Sequence, residues 1–235
     1  MSHTPALRIY AGPKALAHIR QNGLAPDSIR VIPAAAGGPK GLILGPLDRF
    51  IFGQWLPQSS QTVDLVGASI GAWRMATACL EQPAAALERL ERDYIAQRFD
   101  PPPGQKRTPS WLVSERFAQS LQDFYGGRVS EVLTHPRYRL HVIAARGHKL
   151  LARESRWRHK PSHYLDSMVV LAPDAAWVAG LPRGKLPDRH DFLDYGSDHQ
   201  ARSRAWNAAT AASQQLADEF AQWLDRPDPG RVQPL

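Results

Sequence analysis

The run Val66-Gly67-Ala68-Ser69-Ile70-Gly71 carries the most suggestive chemistry in the chain. A β-branched approach, "TVDLVGA", ends at Ala68, and "IGAWRMATACL" follows at once with the composition of a buried helix. A serine between two glycines at a strand-to-helix turn is the Gly-x-Ser-x-Gly nucleophile arrangement. The backbone is bent so sharply that the hydroxyl is exposed, and the glycines are needed because side chains there would strike the strand and helix. The helix that begins after the serine points its positive end at any oxyanion forming there. The plainer reading is a tight small-residue turn in which Ser69 caps the helix.

A second turn lies upstream, in "AAAGGPKGLIL", residues 34 to 44. Gly37 and Gly38 leave a short apolar run, Gly41 opens the next element, and Lys40 adds positive charge. Backbone N–H groups in such a turn can converge on one anionic oxygen. The stretch lacks the G-x-x-x-x-G-K-[ST] pattern of a phosphate loop and the first glycine of the dinucleotide fingerprint. Read alone, it is either an anion site or an ordinary turn.

Taken in order, a Gly-rich loop, a helix, a strand and a serine turn resemble the patatin-like phospholipase family over roughly the first half of the chain. That family's oxyanion motif, D-G-G-G-x-[K/R]-G, falls on Ala35-Ala36-Gly37-Gly38-Pro39-Lys40-Gly41, with alanine in place of the Asp and the first Gly. Its nucleophile motif matches in full from Gly67 to Gly71. The resemblance implies a lipid acyl hydrolase with a Ser–Asp dyad. Ser69 would be the nucleophile, and Gly37, Gly38 and the Ile70 N–H would hold the oxyanion. Lys40 and Gly41 would shape the loop. Neither a metal nor an organic cofactor is implied.

The family's aspartate stands in a D-G-[A/G] motif, and this chain contains no Asp-Gly pair. Asp194-Tyr195-Gly196 is the nearest substitute, in a loop-like segment. The expectation is a chain shortened internally relative to the family, with the dyad aspartate lost and no aspartate or histidine beside Ser69. Two other readings stay open: a catalytically silent domain that binds lipid or a partner protein, and an α/β-hydrolase triad. In a triad His190 or His199 would act as base among Asp188, Asp191, Asp194 and Asp198. The same stretch, "HDFLDYGSDH", has no spacing that specifies a metal geometry. Trp157, flanked by Arg156 and Arg158 near Lys149, Arg153 and Lys160, is either an anchor to an anionic membrane or exposed linker.

The elements that must position these residues can be read from periodicity. Strands are expected at "SIRVIPAA" (28–35), "TVDLVGA" (62–68), "RYRLHVIAA" (137–145) and "SMVVLAP" (167–173). Helices are expected at 41–56, 70–80, 83–99, 111–127 and 200–224, with "DPPPGQKRTPS" as a surface loop. Strands alternating with helices predict a single three-layer α/β/α domain over 1–235 with a mostly parallel sheet, ligands lying at the carboxyl ends of its strands. Trp55, Trp73, Trp111, Trp177, Trp206 and Trp223 are assigned to the core.

Composition narrows the partners. Twenty-nine Lys and Arg against 22 Asp and Glu leave a net charge of +7, which favours anionic surfaces. The basic residues are scattered and no nucleic-acid-binding signature is present, so nucleic acid is not the expected partner. The one cysteine, Cys79, cannot form an internal disulfide and reads as core. No apolar run has the length of a membrane span. The expected location is cytoplasmic, with peripheral contact to an anionic membrane as an extension, and the expected ligand is a lipid or other ester.

Overall fold

The computed structural model describes residues 5–105, 108–144, 169–173 and 199–235. Their elements run β1 (Leu7–Ala11), α1 (Pro13–Asn22), β2 (Val31–Ala34), α2 (Gly45–Phe50), β3 (Val63–Gly67), α3 (Ile70–Ala78) and α4 (Pro83–Ala96). They continue with α5 (Ser110–Tyr125), α6 (Val129–Leu133), β4 (Tyr138–Val142), β5 (Val169–Pro173), α7 (His199–Asp225) and β6 (Val232–Pro234). Helices pack with parallel strands, so the chain is α/β. Among the described residues the strands pair as two sheets where one was expected. Strands β2, β3 and β4 form one fully parallel sheet with β3 central. A second sheet has β1 in the middle, parallel to β6 and antiparallel to β5.

Both β1 and β6 went unread in the sequence. "LRIYA" is only five residues, and β6 is three residues ending in Pro234, too short for a period-2 pattern to stand out. Tertiary packing makes them strands. Leu7 and Ile9 of β1 and Val232 of β6 join Val63 and Leu65 of β3 in one buried cluster with Phe52, Leu56, Met75, Leu216 and Phe220. The Glu219 carboxylate on α7 accepts from the N–H groups of Ala6 and Leu7 at 2.9 to 3.0 Å, which fixes where β1 begins. The two sheets therefore share a core. On β2 to β4 the side chains of the other parity, Val31, Pro33, Arg139 and His141, are exposed.

The helix expected over 41–56 starts late. A 3₁₀ turn spans Gly38–Leu44, α2 begins at Gly45, and a π turn occupies Ile51–Trp55. Pro46 supplies the reason: it has no N–H to give the Leu42 carbonyl, so that carbonyl accepts from Gly45 in the tighter pattern. Pro46 then sits in the first turn of α2, where its fixed φ is tolerated. The assignment of tryptophans to the core holds for Trp55, Trp206 and Trp223 but not for Trp111, which is 64% exposed at the start of α5. Trp177 lies outside the described residues. Cys79 is buried, and burial pushes its thiol up to about 12, so it is an inert core residue.

Candidate active site

Ser69 is the one non-glycine residue with positive φ among the described residues, at φ 52° and ψ −127°. A side chain in this region is strained, and such strain persists only where the surroundings enforce it. The enforcement is visible on both sides. A Cβ on Gly67 would lie 2.5 Å from the Ala72 backbone nitrogen and Cα. A Cβ on Gly71 would lie 2.2 Å from the Ala34 carbonyl oxygen and 2.8 Å from that of Ala35. Both glycines are thus demanded by close approach of backbone to backbone. The Ser69 side chain caps nothing, which removes the reading of this serine as a simple helix cap.

The turn between β2 and α2 closes over this elbow. Ala68 donates to the Ala34 carbonyl at 3.3 Å, and Gly71 donates to Ala68 at 2.9 Å. Gly41 lies so close to Ile70 that a Cβ on it would sit 2.7 Å from Cγ2 of that residue. The two glycine turns recognised in the sequence are therefore one structural unit. Gly37 has an extended φ of −170°, while Gly38 is left-handed at +55°. Among the described residues nothing accepts a hydrogen bond from the N–H groups of Gly37, Gly38 or Ile70. Lys40 is exposed and has no carboxylate within 4 Å among them.

Ser69 is exposed at the carboxyl edge of β2–β3–β4. The described residues that directly follow β2 and close β4 at that edge are apolar. Ala35, Ala36 and Gly37 follow β2 and are exposed. Val142 ends β4 and Ile143 follows it, at 60% and 62% exposure, with Ile143 donating to the Gly67 carbonyl at 2.8 Å. The serine thus sits between two short apolar ledges, at the place where ligands of parallel sheets bind.

Helix α3 is anchored beneath the elbow by an ion pair that sequence reasoning missed. Arg74 reaches Asp48 of α2 through Nε–Oδ2 at 2.5 Å and Nη2–Oδ1 at 2.7 Å, with both residues buried. Burial disfavours the guanidinium charge, but the Asp48 carboxylate more than offsets this and holds the group above its ordinary value. The sequence signal was thin: an arginine within an otherwise small and apolar helix, which needs a buried partner. A second missed contribution comes from α7. Trp206 is buried against Leu42 and Ile70, together with Ile95 of α4. One turn further along α7, the Thr210 hydroxyl donates to Glu91, which also accepts from Arg49 at 2.8 Å.

No described side chain is hydrogen-bonded to the Ser69 hydroxyl. Asp188, His190, Asp191, Asp194 and Asp198 lie outside the described residues, as do Lys149, Arg153, Arg156, Trp157, Arg158 and Lys160. His199 is the first residue of α7. Among the described residues no three His, Cys, Asp or Glu side chains gather as a metal site, and no helix is long and apolar enough to cross a membrane. A shallow groove of about 190 Å³ between α3, α4 and α5 is lined by Trp73, Arg89, Asp93, Tyr94 and Asp123. No protein-family model, curated protein or solved structure matches the chain.

Proposed function

We propose that the chain is a serine-dependent acyl hydrolase of lipid or other carboxylic esters, built on a patatin-like three-layer α/β/α plan. The observation that carries this reading is the strained, exposed Ser69 together with three N–H groups, those of Gly37, Gly38 and Ile70, that have no acceptor among the described residues. In the reaction Oγ of Ser69 attacks the ester carbonyl carbon, and its proton passes through a base or a water molecule to the oxygen of the leaving alcohol. The carbonyl oxygen takes negative charge against the N–H groups and the start of α3. The C–O bond to the alcohol then breaks and the alcohol leaves with that proton; water later attacks the acyl carbon, its hydroxyl staying on the released acid and its other proton returning to Oγ of Ser69 as the acyl–serine bond breaks. The exposed Ala35, Ala36, Val142 and Ile143 suit an apolar acyl chain. No step requires a metal or organic cofactor. The basic excess suits contact with an anionic membrane surface from the cytoplasmic side.

A second reading has its own support. A serine at its ordinary pKa is a weak nucleophile without a base, and no described aspartate or histidine reaches Ser69. A silent domain of the same plan, binding lipid or a partner, would look like this.

Titration with a fluorophosphonate separates the two readings. A working hydrolase labels within minutes at one equivalent, and Ser69→Ala does not label at all. A parent chain that labels no faster than Ser69→Ala is silent. If the parent labels and a His190 or His199 variant loses labelling, the base is a histidine of a triad; if Asp194→Asn loses it while both histidine variants still label, the base is a dyad aspartate. Ser69→Gly adds a structural check. Glycine adopts φ 52° without strain, so this variant is inactive yet melts above the parent.

A further inference from the structure

The chain returns to the serine turn through α7, and the point of return is Trp206. Its ring is 2% exposed and is packed with Leu42, Ile70 and Ile95 in a cluster separate from the main core. Leu42 belongs to the 3₁₀ turn that follows Gly37 and Gly38. Ile70 is the first residue of α3, next to Ser69. Gly41 touches Ile70 directly, so the two apolar side chains under the indole belong to the two halves of the site. Trp206 is also the one described residue with a buried side-chain nitrogen or oxygen that lacks a partner, its Nε1–H. A buried indole N–H normally finds an acceptor, since leaving one unmet is costly. The ring is therefore held there by what it packs against and not by a hydrogen bond.

We infer that Trp206 is a positioning residue: from α7 it clamps the Gly38–Leu44 turn against the start of α3 and so fixes the N–H groups of Gly38 and Ile70 relative to Ser69. This deepens the serine-hydrolase reading and rests on it for its kinetic consequence, although the clamp itself does not. The Thr210–Glu91–Arg49 contacts one turn along α7 hold the helix in place independently, so truncating Trp206 loosens the turn without releasing α7.

The test compares Trp206→Phe and Trp206→Ala in the full chain, reading both hydrogen exchange and ester hydrolysis. Phenylalanine keeps the packing surface and removes the orphaned donor, so Trp206→Phe is expected to keep the parent's exchange pattern and its rate within ~3-fold. Trp206→Ala is expected to speed exchange of the Gly38–Leu44 amides at least ~10-fold while β1 and β6 keep their protection. It is also expected to lower kcat ~10- to 100-fold with KM nearly unchanged, because a displacement near 1 Å in the donors acts on the transition state. Should Trp206→Ala fail to fold, Trp206→Leu carries the same comparison. Unchanged exchange at Gly38–Leu44 in the truncated variant overturns the inference, as does a phenylalanine variant that behaves like the alanine one. If exchange rises locally but the parent never labels with fluorophosphonate, the clamp stands and the hydrolase reading falls.

Discussion

Gly71→Ala sets two well-known effects against each other. Gly71 lies in the first turn of α3, and replacing a helical glycine with alanine ordinarily stabilises by ~1 kcal/mol. Here the new methyl would sit 2.2 Å from the Ala34 carbonyl oxygen and 2.6 Å from its carbonyl carbon. A comfortable contact needs about 1 Å more, and the obstructing atoms are backbone, which cannot rotate away as a side-chain tip can. Overpacking of this kind costs ~1 to 3 kcal/mol, and a fixed backbone obstacle puts it at the upper end. The helix gain is too small to cancel that, leaving a net loss of about 2 kcal/mol. In a chain of this size that lowers Tm by ~4 to 8 °C. The movement also has a direction. Ala34 ends β2 and leads into the Gly37–Gly38 turn, so a shift of about 1 Å carries the candidate oxyanion donors away from Ser69, at a cost of ~10²-fold in acylation rate. Thermal and urea denaturation give the first quantity, and the second-order rate of fluorophosphonate labelling gives the second. A Gly71→Ala variant as stable as its parent would refute the argument, because it would mean that α3 and the Ala34–Gly38 turn are not in the contact described.

Other substitutions probe neighbouring parts of the same argument. Gly38→Val forces a β-branched residue to φ +55° and should lower both Tm and labelling, whereas Gly37→Ala, with φ −170° and nothing nearer than 3.9 Å, should leave Tm within ~1 °C; equal effects at the two positions would contradict the assigned backbone. Asp48→Ala strands the Arg74 guanidinium in the core and should cost ~3 to 5 kcal/mol in urea denaturation, and a loss under 1 kcal/mol would mean that the pair is not buried. His135 accepts at Nδ1 from the N–H groups of Arg137 and Tyr138, and burial, helped by the Arg137 charge, holds it below its ordinary 6.5. The unfolded chain therefore binds the proton more readily. The stability His135 contributes is complete above pH ~6.5 and is lost as pH falls toward its folded value. His135→Asn should flatten that slope, and an unchanged slope would place its origin elsewhere.

Much of the candidate site is local, which explains how far the sequence reaches. A glycine two residues on either side of a serine, with β-branched residues before and small residues after, specifies a strand, a strained turn and a helix within nine positions. Conformation at φ 52° is set by the residues that flank it, and so the elbow at Ser69 was readable. The same holds for the glycines of the 37–41 turn and for the amphipathic helices α4 and α5. What no window could supply is the contact between these pieces. The Ala34 carbonyl meets Gly71 because β2 and β3 pair in parallel register, Ala34 opposite Gly67.

The same limit accounts for the features that went unread. Asp48 and Arg74 look like two isolated charges until α2 and α3 pack and desolvate both, after which each needs the other. Strands β1 and β6 have too few residues for a pattern, and only a shared core with β3 makes their extended form stable. Trp111 and Trp206 have equally apolar rings in helical sequence, yet one is exposed and the other lies under the serine turn, because burial depends on which neighbour the fold brings to each face. The sequence by itself determined the local conformation of Ser69 and its glycines, since steric limits on φ and ψ act between adjacent residues. Tertiary structure alone decided what presses on that turn, since burial, charge pairing and backbone contact act between residues the chain keeps far apart.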